Sequence, residues 1–272
     1  MAILTVAREL GSIVNGEELT LCNALKLHCV DKSTIETRFR EMGIEHSILE
    51  RFDECGPGFT GMFSSGSTLY WEALRTVLLK ELLNENVAII GRGGNFLLKH
   101  LVDSFRIRLI APLDFRINLL CKERSCSEDE AKKAIHHSDI SREKFCRHYY
   151  GAEWRDPHNY DLTINTAELP LDKLAALLPP LMPQSATGKR NPLLLRAIQE
   201  QAIRHMLCTS EKFPLYSLEV KCPAPDIVIL RGCAYSEAVV QQAVEAVKAF
   251  PGVKEVKNEL SVVDIDLPVP MW

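Results

Sequence analysis

The sequence is defined first by what it lacks. No window approaches ~18 consecutive apolar residues, the length a membrane-spanning helix needs. The N-terminus has no basic segment ahead of a long apolar one, so neither a signal peptide nor a membrane span is expected, and a cytoplasmic location is. There is no basic excess: 32 Lys and Arg stand against 36 Asp and Glu, a net charge of −4, which removes the electrostatic case for a nucleic-acid partner. The nine cysteines contain no C-x-x-C pair and the histidines no zinc-like spacing; scattered thiols in odd number read as a reducing compartment rather than a disulfide framework. No metal site is expected. One further absence is local. Between Arg8 and Lys26 the chain carries no cation at all.

What is present is ordinary globular composition, 46% hydrophobic and 25% charged, in a chain of 272 residues, long enough for one large domain or two smaller ones. The stretch 177–192, LLPPLMPQSATGKRNP, holds four prolines between two periodic regions. Proline removes a backbone donor and stops helices, so a linker is expected at 179–192, separating a first domain, 1–178, from a second, 193–266.

The first domain alternates strands and helices. Apolar runs at 3–6 and 87–91 have the continuous pattern of buried parallel strands, while 105–112 alternates Phe105, Ile107 and Leu109 with Arg106 and Arg108, a strand with one wetter face. Helical patterns occupy 17–27, 32–42 and 68–86, two more follow 112, and YDLTINT (160–166) closes the series as a strand. The glycine- and serine-rich piece 55–67 is expected to be mobile. Strands separated by helices imply a parallel sheet with crossovers, an α/β architecture. The second domain reads as αββαβ, with Val240, Ala243, Val244 and Val247 on one helical face and Val256, Leu260 and Val262 alternating along the last strand.

The segment ILTVARELGSIVNGEEL (3–19) has the strand, loop and helix order of a phosphate-binding loop, with Gly11, Ser12 and Gly16 in the Gly-x4-Gly frame. Such a loop continues with Lys and then Ser or Thr; here Glu17 and Glu18 follow. Acidic residues in a first helical turn complement the helix dipole. They also place negative charge where a triphosphate would lie: two like charges ~4 Å apart repel by about 4 kcal/mol at an effective dielectric of 20. The amides of the loop remain able to meet an anion.

VAIIGRGGNFLLK (87–99), RLIAPLDFRI, SDISREKFCRHYYGAEW and YDLTINT, in that order, resemble the cytidylate kinase-like family, relatives of bacterial CMP kinases, over residues 1–178. The resemblance implies a P-loop kinase fold and phosphoryl transfer from ATP, with Mg²⁺, to a nucleoside monophosphate such as CMP or dCMP. Under it Arg92, flanked by Gly91 and Gly93, matches the arginine that holds the acceptor phosphate. Arg116 matches the start of the lid, and Asp139 and Arg142 match the lid's Asp-x-x-Arg. Arginine suits the task because its planar fork grips two phosphate oxygens at once, and phosphoryl transfer depends on positioning and charge neutralisation. The paired lid arginines of the family are replaced by Asn118, Leu119 and Leu120.

Structural alternatives stand beside each residue. Against its phosphate role, Arg92 has a structural reading as a strand-end cap or ion pair, Arg142 as part of a solvated charged helix, and Asp139 as an N-cap. His136 and His137 read as surface residues, Tyr149, Tyr150 and Trp154 as helix packing rather than base stacking, and Asp161 as ordering a strand entry. Two readings of the whole follow: an active nucleoside monophosphate kinase, or an inactive kinase-like protein that binds a nucleotide or other small phosphorylated ligand. A kinase for a different phosphorylated molecule is a third.

The second domain, DIVILRGCAYSEAVVQQAVEAVKAFPGVKEVKNELSVVD, is similar to the BON domain, marked by a strand ending at Gly232, a helix, and Gly252-Val253-x-x-Val256-x-Asn258-x-Leu260-x-Val262. Gly232 is expected to make a tight turn at positive φ and Gly252 to end the helix. BON domains lack catalytic constellations and generally bind, so a ligand or protein partner is implied, with an apolar packing face as the alternative.

Overall fold

The computed structural model describes residues 2–52, 65–84, 86–99, 101–183, 191–210 and 212–263. They form two compact units, Met1–Tyr70 with Val77–Arg190, and Trp71–Thr76 with Asn191–Trp272. The expectation of mobility for 55–67 falls mainly outside the described residues, and its last three residues open a helix. Most of the expected linker also lies outside them; Asn191 caps a helix that begins at Pro192.

The elements as far as residue 177 run β1 (Ile3–Arg8), α1 (Glu17–Ala24), β2 (His28–Val30), α2 (Lys32–Glu41), α3 (His46–Phe52), α4 (Ser65–Glu81), β3 (Val87–Ile90), α5 (Gly94–Leu98), β4 (Phe105–Ile110), α6 (Leu113–Arg124), α7 (Glu128–Tyr150), β5 (Leu162–Asn165) and α8 (Leu171–Leu177), all in the first unit except the middle of α4, Trp71–Thr76, which belongs to the second. The five strands form one parallel sheet in the order β2-β3-β1-β4-β5. The apolar runs explain the centre. Ile3, Leu4 and Val6 of β1 and Val87, Ala88, Ile89 and Ile90 of β3 are all buried, as strands covered on both faces must be. β1 lies between β3 and β4, so the chain leaving its carboxyl end enters the crevice where open α/β sheets bind ligands.

Two sequence expectations change here. β2 fell between two predicted helices; three residues are too few to show a period, and pairing with β3 makes the strand. On β4 the face expected to be wetter is not wet at Arg108, which is buried against Glu9, the Arg155 carbonyl and the Trp154 ring. Asp161 orders the entry to β5 as expected, taking the Arg106 guanidinium at 2.7 and 3.0 Å and the Arg106 amide at 2.8 Å. Among the described residues no helix is long and apolar enough to cross a membrane.

The second unit contains α9 (Pro192–Thr209), β6 (Leu215–Ala224), β7 (Ile227–Ala234), α10 (Glu237–Lys248) and β8 (Glu255–Val262). β7 is central, antiparallel to β6 and parallel to β8. The core joins Ile203 and Leu207 of α9 to Val228 and Leu230 of β7 and Ala243 and Val247 of α10. The order is the αββαβ expected. Gly232 has φ +140°, yet it does not end its strand: β7 continues to Ala234 beside an irregularity in β6 between Tyr216 and Glu219. A Cβ at Gly232 would stand 2.8 Å from the Tyr216 carbonyl oxygen, so close backbone approach is what requires glycine there.

Candidate active site

The loop after β1 begins with Arg8, the last residue of a fully packed strand. Gly11 turns at φ +78° under the Arg116 carbonyl, whose oxygen would lie 2.7 Å from any Cβ added there. Ser12 is buried, and its hydroxyl donates to the Glu9 carbonyl at 2.8 Å while its own carbonyl accepts from Thr166 Oγ1. Ser12 therefore closes the turn. Gly16, at φ +91°, is the N-cap of α1 and offers no side chain to its amides.

Three successive amides of this loop donate to carboxylates of the same chain. Val14 N–H meets Glu17 Oε2 at 2.8 Å, Asn15 N–H meets Glu123 Oε1 at 2.7 Å, and Gly16 N–H meets Glu18 Oε2 at 3.2 Å. The second oxygen of Glu18 pairs with Arg8 Nη2 at 2.7 Å. Glu17 and Glu18 do stabilise the helix start, as acidic first-turn residues should, and they do so through the very amides that a phosphate would use. With a glutamate after Gly16 and these donors taken, the loop does not fit the triphosphate of Mg·ATP.

Across a cavity of about 370 Å³, lined by Arg8, Gly11, Asn15, Glu123, Arg124 and Arg142 among others, the arginines collect. Arg142, on α7, is buried, donates to Ser138 Oγ and lies 5.9 Å from the Trp154 ring centroid. Arg92 follows β3 in a turn where Gly91, Arg92 and Gly93 all have positive φ, at +72°, +58° and +65°. A non-glycine residue held there is uncommon and costs about 1–2 kcal/mol. The turn is held by Tyr150, the last residue of α7, whose hydroxyl donates to the Arg92 carbonyl at 2.7 Å. A Cβ at Gly93 would stand 2.7 Å from Tyr150 Cζ. The Arg92 side chain is buried; burial, and then the charges of Arg8 and Arg142, pull its guanidinium down to about 10. It remains a cation at neutral pH, in company with two others, an arrangement suited to an anion.

Arg116 and Asp139 are placed differently. Arg116 donates to both Asp139 oxygens at 2.7 and 3.0 Å, to the Leu10 carbonyl at 2.8 Å and to Glu9 at 3.3 Å, and both residues are buried. Glu9 also holds Arg108 at 3.0 Å. This network fixes the floor of the loop. Asp139 is not an N-cap, since it lies inside the 23-residue α7, whose cap is Ser127 in a capping box with Glu130. His136 and His137 are exposed, and Trp154 is buried against Arg108.

The structure thus brings together Arg92 and Arg142 from the sequence-derived set and adds Arg8, Arg124, Glu123 and Tyr150. Arg8 stands three residues before Gly11 and was visible only as the last cation before the Gly-x4-Gly frame. Glu123 gave no signal, because its partner Asn15 is 108 positions away. Tyr150 does pack, and it also carries the hydrogen bond that sets the Arg92 turn.

An uncharacterised protein from Eubacterium ventriosum ATCC 27560 superposes with a TM-score of 0.51 at 15% identity, over 65% of this chain and 95% of that one, a likeness of fold alone. Shikimate kinases from Bacteroides thetaiotaomicron and Acinetobacter baumannii are more distant, with TM-scores of 0.42 and 0.37 at 15% and 13% identity, each over 66% of this chain and 97% and 92% of theirs. No curated protein matches. By sequence profile, residues 197–264 match the BON domain and residues 3–168 match the cytidylate kinase-like family, and the chain belongs to that family.

Proposed function

We propose that the first unit binds a small phosphorylated ligand, a nucleoside monophosphate such as CMP or dCMP, and acts as a kinase-like binding protein rather than as a phosphoryl transferase. The observation that carries this reading is the convergence of Arg8, Arg92 and Arg142. Arg8, at a strand end, and Arg142, on α7, line one cavity, and Arg92, buried in the strained turn after β3, has its ionisation lowered first by burial and then by both of their charges. A dianionic phosphate adds negative charge among them, and the planar forks supply directed donors to its oxygens. The BON domain has the role of binding a further ligand or a protein partner, and the chain as a whole that of a nucleotide-responsive regulator.

Isothermal titration calorimetry of the full chain with CMP tests the assignment. Saturable binding that weakens at least tenfold in Arg92→Ala and in Arg142→Ala supports it. Absence of binding to CMP, dCMP and inorganic phosphate removes it, as does binding indifferent to both substitutions. Active transfer from Mg·ATP is the second reading, favoured by Arg142 lining the cavity beside the loop and by the influence of its charge on the buried Arg92. A coupled assay across the nucleoside monophosphates that gives steady turnover would establish that reading instead.

A further inference from the structure

We propose that Glu18 and Glu123, with Glu17, are specificity determinants: they fill the anion seat of the loop from within and restrict the site to ligands bearing a single phosphate group. The inference rests on the arginine-side binding just described and adds what sets its limit. Consecutive amides after a first strand form a concave donor surface that meets the oxygens of a polyphosphate. Here the three amides at Val14, Asn15 and Gly16 each have a carboxylate oxygen within 2.7–3.2 Å. A charged acceptor on an amide is among the stronger hydrogen bonds, so an incoming phosphate must displace it, not merely arrive beside it.

The three carboxylates differ in how they are tied. Glu17 and Glu18 reach back from the first turn of α1, at sequence distances of 3 and 2. Glu18 is buried and also holds Arg8, so the cation nearest the loop already has its counter-charge. Glu123 comes from the last turn of α6 and is exposed, which makes it the occupant most easily removed without disturbing the core. Together they put three negative charges where the second and third phosphates of a polyphosphate would lie. A monophosphate on the Arg92 and Arg142 side does not need those amides. The loop thus keeps the backbone of a phosphate seat and uses side chains of its own as the anion.

The test compares CMP with sodium tripolyphosphate, both without metal, and with Mg·ATP, by calorimetry on the full chain. The wild type is expected to bind CMP at least a hundredfold more tightly than tripolyphosphate or Mg·ATP. Glu123→Gln, which keeps the side-chain shape, is expected to tighten tripolyphosphate binding about tenfold. Glu17→Lys with Glu18→Ser and Glu123→Gln is expected to tighten it by a hundredfold or more. A thermal midpoint close to wild type in the single variant shows that the fold is intact. Tripolyphosphate binding as tight as CMP binding in the wild type overturns the inference, and so does the absence of a gain in both variants. Should CMP fail to bind at all, the arginine-side reading falls by itself. The gain or absence of gain in tripolyphosphate affinity then decides this one separately.

Discussion

Replacing Gly93 with alanine should damage the first unit far more than a single methyl suggests. Three effects add at this position. Alanine must adopt φ +65° in the left-handed region, which costs an L residue about 1–2 kcal/mol. Its Cβ would stand 2.7 Å from Tyr150 Cζ, where non-bonded carbons prefer about 3.5–4.0 Å, so the ring must move. Moving it breaks the 2.7 Å bond from the Tyr150 hydroxyl to the Arg92 carbonyl, a loss of about 1 kcal/mol. The ring also loosens from Phe96 and Phe145, whose centroids lie 5.5 and 6.3 Å away, at roughly another 1 kcal/mol. The sum is about 3–4 kcal/mol, which at ~2–4 °C per kcal/mol for a unit of this size lowers the midpoint by roughly 10 °C. Scanning calorimetry of the full chain reads the shift. The decisive comparison is a cycle with Tyr150→Ala, in which the overlap is gone and Gly93→Ala retains only the left-handed cost of about 1–2 kcal/mol. Equal costs of Gly93→Ala in the two backgrounds would show that Tyr150 does not hold the turn.

Arg116 and Arg142 should separate stability from binding. Asp139→Ala leaves Arg116 buried without its bidentate partner and should destabilise by about 3 kcal/mol, whereas Arg142→Ala should chiefly weaken phosphate binding; paired melting and titration of both variants checks this. Acid sensitivity should involve Asp161, whose carboxyl is held below its usual range by the hydrogen-bonded Arg106 guanidinium. A depressed acid contributes stability that is present above its unfolded value of about 3.9 and is lost as the pH falls through the folded value. Melting midpoints between pH 6 and pH 3 should therefore fall less steeply in Asp161→Asn than in the wild type; parallel curves would remove the pair from the acid response.

Much of the architecture was written locally. Runs such as VAII announce buried parallel strands because a strand covered on both faces is nearly all apolar, and the helical face of Val240, Ala243 and Val247 announces α10 for the complementary reason. The order of elements and the Gly-x4-Gly frame were legible in the same way, and so was the loss of the cation after Gly16. β2 escaped because a three-residue strand has no period and exists through its pairing with β3. Arg116, Asp139, Arg92 and Arg142 carried equal weight in the sequence, yet only the folded chain divides them. The crossovers bring Arg116 against Asp139 and Glu9 in a closed ion-pair network, and bring Arg92 near enough to Arg142 and Arg8 for both to lower its ionisation. Residue types fix which charges a chain carries and periodicity fixes which segments are buried. Which carboxylate meets which donor depends on contacts between segments far apart in sequence, as when Glu123 reaches the amide of Asn15, and those are settled only when the sheet has assembled.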